Sequence, residues 1–166
     1  SKVETVEEAS AATVNGQIKV TEAGGLRSIE INGREVITAT ETNPVVIATT
    51  NGTLTVTGYD AVSGTIMYRY SENGQAKDHT GKADNMIRDS FTVFVTDLAG
   101  HTAQNLLTVR ITDTAPVAAN DANTIMEGDA SVTGNVLTND TLGVDAPTLV
   151  TQTVQDGQFG QLKLNA

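Results

Sequence analysis

Carboxylate side chains gather in two parts of this sequence, where their oxygens could converge on a metal ion. Residues 113 to 129 contain no Lys or Arg, and their acids are Asp113, Asp121, Glu127 and Asp129. A second group, in and beside the polar stretch 72–89, consists of Asp78, Asp84 and Asp89. Calcium takes roughly six to eight oxygen ligands, several of them anionic. The chemistry that these residues offer is therefore the binding of a divalent cation.

Residues for other kinds of chemistry are scarce. The chain has no Cys, which excludes disulfides and thiolate metal sites. The two histidines, His79 and His101, lie far apart in predicted loops, and no motif links either of them to a nucleophilic serine. No glycine-rich phosphate loop precedes a helix. We therefore expect a protein that is not an enzyme.

The net charge of the chain indicates which classes of binding partner to expect. The formal net charge is −10, which argues against binding to nucleic acid or to an anionic membrane surface. No apolar run approaches the roughly 18 residues that a membrane-spanning helix needs. We expect neither nucleic-acid binding nor direct insertion into a membrane.

Apolar residues alternate with polar ones along most of the first two thirds of the chain, and helical periodicity is absent. This period of two indicates strands with one buried face and one Thr-rich or charged face. The predicted strands are 14–21, 26–31, 44–49, 53–59, 64–71, 90–96 and 103–112. Asn-Gly pairs at 15–16, 32–33, 51–52 and 73–74 are typical of tight turns. We predict an all-β fold, a seven-stranded antiparallel immunoglobulin-like or cadherin-like sandwich.

The strand order of such a sandwich predicts at which of its two ends each acidic residue lies. Alternate loops fall at opposite ends, so Asp113 should lie at the same end as Asp78, Asp84 and Asp89. The residues that follow, with Asp121 and Glu127, must abut that end. Asp97 should lie at the opposite end with Asp60, near the N-terminal acids Glu4, Glu7 and Glu8.

A domain boundary is predicted near Pro116, because proline cannot continue a strand ladder. Residues 1–12 are interpreted as a linker, 13–115 as the sandwich, and 116–166 as the first part of a following repeat. The run 160–164 echoes 52–56 at about one sandwich length, which suggests tandem units. We expect short strands near 131–137 and 148–154 and an incomplete second sandwich.

Several segments, in order, resemble the repeated extender module of giant type I secreted RTX adhesins. These segments are GTLTVTGYD at 52–60, SGT at 63–65, DSFTVFVTD at 89–97 and TDTAP at 112–116, followed by VTGNVLTND at 132–140. The resemblance spans roughly residues 12–166. The family usually carries an Asp-rich turn between its last two strands, where this chain has a single carboxylate, Asp97.

The resemblance implies a function and a cofactor. Modules of this kind project ligand-binding regions from the bacterial surface for cell adhesion and biofilm formation, and calcium stiffens their junctions. The expected calcium ligands are Asp113, Asp121, Glu127, Asp89 and Asp97. The expected location is the secreted, cell-surface fraction, and the expected partners are neighbouring repeats of the same chain.

An alternative is a module that itself binds a glycan or a protein. That function would need exposed aromatic residues, and the candidates are Tyr59, Tyr68 and Tyr70. Tyr68 and Tyr70 share the inward face of their strand with Ile66, which favours core packing instead.

Overall fold

A computed structural model describes residues 1–21, 25–77, 86–144, 150–151 and 153–165 of the chain. The chain divides into two compact units, Ser1–Asp113 (unit 1) and Thr114–Ala166 (unit 2). Asp78 and Asp84, two of the acids expected at the domain junction, lie outside the described residues.

Unit 1 is an all-β sandwich of two sheets, as the alternation predicts. Its strands are β1 (Lys2–Glu7), β2 (Thr13–Lys19), β3 (Leu26–Ile31), β4 (Arg34–Glu35), β5 (Val45–Ala48), β6 (Gly52–Asp60), β7 (Thr65–Glu72), β8 (Ile87–Asp97) and β9 (Thr102–Thr112). One sheet has the order β1-β9-β8-β3-β4, and the other has the order β2-β7-β6-β5. All seven predicted strands are present, and β1 and β4 are additional.

The core lies between the two sheets and consists of the inward residues of each strand. The residues on the inward side of the alternating pattern that are buried include Leu54, Val56, Phe91, Val93, Val109 and Ile111. Val95 is only partly buried and packs at the margin. Tyr68 and Tyr70 are buried too, so the prediction that they belong to the core is confirmed. The Tyr70 ring meets Phe91 of the opposite sheet edge to face, with the ring centroids 6.2 Å apart.

The first residues of the chain differ from the linker predicted for 1–12. Strand β1 joins the edge of the first sheet and runs parallel to β9, with Lys2 opposite Leu107 and Glu7 opposite Thr112. The first sheet is therefore mixed rather than purely antiparallel. Residues 8–12 then cross to the second sheet and begin β2 at Thr13.

Two of the Asn-Gly pairs show why this dipeptide has more than one use. Asn32 and Gly33 both have positive φ, 49° and 75°, and form the tight turn between β3 and β4. Asn15-Gly16 carries the same dipeptide but lies inside β2, within the predicted strand 14–21, where Gly16 pairs with Tyr68. A Cβ on Gly16 would lie 2.3 Å from the Tyr68 hydroxyl oxygen, so glycine is required by close packing rather than by a turn.

The described residues of unit 2 include a small hairpin of β10 (Thr153–Asp156) and β11 (Gln161–Leu164), and a bridge between Val117 and Thr141. The strand predicted near 131–137 is not formed, because that segment lies in irregular backbone and a turn. The prediction for 148–154 falls partly on residues outside the described ranges. No described residue after Asp113 is buried, so the described part of unit 2 contains no core comparable to that of unit 1.

Candidate functional site

Three carboxylates are buried at one end of unit 1, the end where β9 finishes at Thr112. We call this the exit end, because Asp113 and unit 2 follow from it. Glu8, Glu72 and Asp89 are only 1%, 4% and 6% exposed. Buried carboxylates are rare unless hydrogen bonds or an opposite charge compensate for their lost hydration. Each of the three carboxylates is therefore expected to have hydrogen-bond donors or a cation beside it.

Asp89 connects the two sheets from inside the core. It lies on β8, and its Oδ2 accepts hydrogen bonds from the Tyr70 hydroxyl at 2.6 Å and from the Thr49 hydroxyl at 2.5 Å. Its Oδ1 accepts a hydrogen bond from the Asn51 side-chain amide at 2.9 Å. Burial raises the pKa of Tyr70 well above its usual value, and the bond to Asp89 raises it further. Three donors already engage the Asp89 carboxylate and occupy most of its roughly four acceptor positions.

Gly52 makes room for this contact. It begins β6 beside Tyr70, and a Cβ on Gly52 would lie 2.4 Å from the Tyr70 hydroxyl oxygen. Gly16 and Tyr68 repeat the arrangement on the other side of β7. Both inward tyrosines thus extend their hydroxyls over a glycine of the adjacent strand and donate to a carboxylate of the opposite sheet, Asp89 for Tyr70 and Glu4 for Tyr68.

Glu72 forms a buried ion pair with Lys77. The Lys77 Nζ lies 2.6 Å from Glu72 Oε1 and 2.5 Å from the Gln75 carbonyl oxygen, and it also contacts Asn73 Oδ1. Glu72 Oε2 accepts the backbone N–H groups of Gly74 at 2.7 Å and Ala11 at 3.0 Å. Lys77 is therefore surrounded by oxygen atoms, and its positive charge is paired with Glu72.

The pKa of Glu72 reflects two opposing effects. Burial alone would raise the pKa, because it disfavours the charged form. The hydrogen bonds from Lys77, Gly74 and Ala11, together with the Lys77 charge, outweigh burial and hold the pKa of Glu72 below its usual value. The ionised carboxylate is therefore part of the folded structure.

Glu8 belongs to the same network, although the sequence assigns it to the predicted linker. Its Oε2 accepts the Lys77 backbone N–H at 2.8 Å, and its own backbone N–H donates to the Thr112 carbonyl at 3.0 Å. Glu8 thereby connects the end of β9 to the loop after β7. Strand parity could have revealed Glu72 and Asp89, which continue the inward positions of Tyr68 and Tyr70 and of Phe91 and Val93. No local signal reveals Glu8 or Lys77.

Asp97 lies at the opposite end of β8 from Asp89. Its Oδ1 accepts the His101 backbone N–H at 2.8 Å, and its Oδ2 lies 2.8 Å from the His101 ring Nδ1. The His101 side chain, with its backbone N–H, holds the pKa of Asp97 below its usual value. The carboxylate thus closes the turn between β8 and β9. Asp97 is eight positions from Asp89 along β8, about 27 Å of extended strand, so the two cannot share one ion.

The remaining expected calcium ligands lie at the exit end and beyond. Asp113 is half-buried at the end of unit 1, and Asp121 and Glu127 are exposed in unit 2. Their carboxylates are the hard oxygen donors that calcium prefers, so their chemistry fits that ion. Among the described residues, no group of three or more His, Cys, Asp or Glu side chains is arranged to hold a metal. Calcium binding by these residues stays a prediction.

Two further observations bear on classification. The described part of the chain contains no helix with the length and apolar character needed to span a membrane. Comparisons with protein families, with curated proteins and with solved structures find no match for this chain.

Proposed function

We propose that this chain is a structural extender repeat of a secreted bacterial surface adhesin. It would separate ligand-binding regions from the cell in adhesion and biofilm formation, with calcium at the junction that follows unit 1. The observation that carries the proposal is the course of the chain through unit 1. Parallel β1 and β9 displace Ser1 from Asp113 along the strand direction, by about 20 Å over the length of β1. Modules connected through such points can follow one another in a line.

The surface of unit 1 supports a spacer rather than a binding module. Of the three residues considered for stacking on a sugar, Tyr68 and Tyr70 are buried, with their hydroxyls used within the core, and Tyr59 is partly buried. The buried carboxylates at the exit end are likewise engaged by donors of the same unit. The net charge of −10 keeps such modules soluble and favours a divalent cation at a junction of acidic segments.

Calcium dependence tests the proposal directly. We expect titration calorimetry of the 166-residue chain to detect calcium binding, and scattering to report a larger maximum dimension with calcium than with chelator. The double variant Asp113→Asn/Asp121→Asn should lose both responses. Glu41→Gln removes a charge from an exposed residue away from the junction and should retain them.

Magnesium provides a second comparison, because it demands a smaller and more regular oxygen shell than calcium. Magnesium should extend the chain less at the same concentration. A chain whose shape and melting temperature are the same in calcium and chelator would contradict the calcium part of the proposal. Calcium-independent binding to a glycan surface would favour the alternative module.

A further inference from the structure

Strand β1 connects the start of the chain to its last strand in unit 1. Six register pairs join β1 to β9 in parallel, from Lys2 with Leu107 to Glu7 with Thr112; we call them the terminal ladder. Two further hydrogen bonds join the same strands. The Glu8 backbone N–H donates to the Thr112 carbonyl at 3.0 Å, and the Thr112 hydroxyl donates to the Val6 carbonyl at 3.2 Å. The two strands that would receive a pull on Ser1 and on Asp113 are therefore direct neighbours.

A pull along the chain loads the terminal ladder in shear. Because β1 and β9 are parallel, Ser1 is drawn towards the start of both strands while Asp113 is drawn towards their ends. The strands must then slide along each other, and all the ladder hydrogen bonds carry the load together. A ladder pulled apart from one end would instead lose its bonds one at a time, and each bond alone is weak.

Release of β1 would change that geometry completely. The next residues to carry the load would be Thr13, at the start of β2, and Asp113. Both lie at the exit end, because Ala12 bonds to the Glu72 backbone at 2.9 Å and Glu8 bonds to Thr112. Strand β2 would then peel from β7, beginning at the pair of Thr13 and Ser71. Resistance to force therefore resides in β1.

A side-chain contact fastens β1 to the opposite sheet as well. Glu4 Oε1 accepts the Tyr68 hydroxyl at 2.8 Å and lies 3.3 Å from Lys2 Nζ. Gly16 leaves the space for this bond, since a Cβ there would lie 2.7 Å from Glu4 Oε1. Two positions along β1, Val6 is buried in the core. Sliding of β1 would have to break a charged hydrogen bond and extract Val6.

We propose that the terminal ladder, fastened by Glu4 and Tyr68, is the force-bearing element of this protein. This inference rests on the proposed extender function, in which the module is stretched between a cell and a surface. The two remain separable, because calcium-dependent extension does not require the ladder to resist force.

Single-molecule stretching of the full chain tests the inference. The absence of Cys allows specific attachment through cysteines added beyond the two termini. Unfolding of Ser1–Asp113 should appear as one event that releases a contour length of roughly 400 Å. A second attachment at Thr13→Cys bypasses β1, and we expect a clearly lower unfolding force from it. Equal forces from the two attachments would overturn the proposal.

Tyr68→Phe and Tyr70→Phe form a matched pair for the side-chain contact. Each removes one hydroxyl that donates across the sheets to a carboxylate, but only Tyr68 is bonded to β1. At constant force, Tyr68→Phe should unfold roughly tenfold faster, the effect of one charged hydrogen bond on a rate. Tyr70→Phe should lower the melting temperature with little change in that rate. The opposite pattern, or equal rates for both variants, would refute the role of Tyr68.

Discussion

The Tyr70 hydroxyl donates to Asp89 Oδ2 across the core at 2.6 Å, and this bond joins β7 of one sheet to β8 of the other. The Asp89 carboxylate is therefore a structural hydrogen-bond acceptor inside the sandwich. Because burial and the bond raise the pKa of Tyr70, the hydroxyl remains a donor at all neutral pH values. The stability of unit 1 should depend on this contact.

Removal of that hydroxyl should be costly. We expect Tyr70→Phe to lower the free energy of unfolding by about 2 kcal/mol, because a buried charged acceptor loses one of its donors. Urea denaturation followed by circular dichroism measures the change. Tyr59→Phe alters a partly buried tyrosine at the margin of the core and should have a much smaller effect. Equal losses for the two variants would show that the Asp89 bond contributes little.

Lys77→Met should destabilise unit 1 by about 3 to 5 kcal/mol, because Glu72 would keep a buried charge without its partner. The double variant Lys77→Met/Glu72→Gln should cost less than the sum of the two single changes. Lys19→Met, at an exposed position of β2, controls for the loss of positive charge. Additive effects at Lys77 and Glu72 would contradict the ion pair as described.

Acid should weaken unit 1 through Glu72. Its folded pKa lies below the unfolded value of about 4.3, so the unfolded state binds a proton more readily. The stability that Glu72 contributes is complete above that value and is lost as the pH falls through the folded pKa. Melting temperatures between pH 3 and 7 should therefore fall faster in acid for the native chain than for Glu72→Gln. Parallel curves would show that Glu72 does not titrate differently in the two states.

Gly16→Ala should cost about 1 to 3 kcal/mol, because the new methyl group overlaps the Tyr68 hydroxyl. Combination with Tyr68→Phe removes that oxygen but keeps the ring carbon Cζ, which the added Cβ would meet at 2.4 Å, so most of the loss should remain. Gly160→Ala, where the added carbon meets no atom within 4 Å, is the control. Thermal denaturation of the four variants measures these losses, and a full recovery in the double variant would show that the hydroxyl oxygen alone causes the clash.

Alternation was sufficient to predict the strands whose inward residues are apolar. Alternation does not predict strand β1, because its inward position Glu4 is charged and hydrogen-bonded to Tyr68, while the apolar Val3 faces outward. Gly16 indicates a turn by its sequence, but its lack of a side chain instead leaves space for Tyr68 of another strand. Such contacts depend on long-range pairing, which a local pattern does not contain.

The candidate site was less predictable than the fold. Strand order was enough to place Asp89 at the exit end and Asp97 at the other, as the register shows. Strand parity also places Asp89 at an inward position, but it gives no indication of the three donors that the carboxylate meets there. The Lys77 network required the loops after β1 and β7 to meet, and no short-range signal encodes that meeting.

The solvent exposure of the described part of unit 2 affects which proteases can cleave this protein. No described residue after Asp113 is buried, which is the condition under which backbone is open to cleavage. Yet the sequence has no Lys or Arg between Arg110 and Lys163, so enzymes that cut after basic residues find no target there. Proteases that cut after acidic residues have Asp121, Glu127 and Asp129 available. Survival outside a cell would therefore depend on which class of protease is present, and a trypsin-rich setting would leave the two units joined.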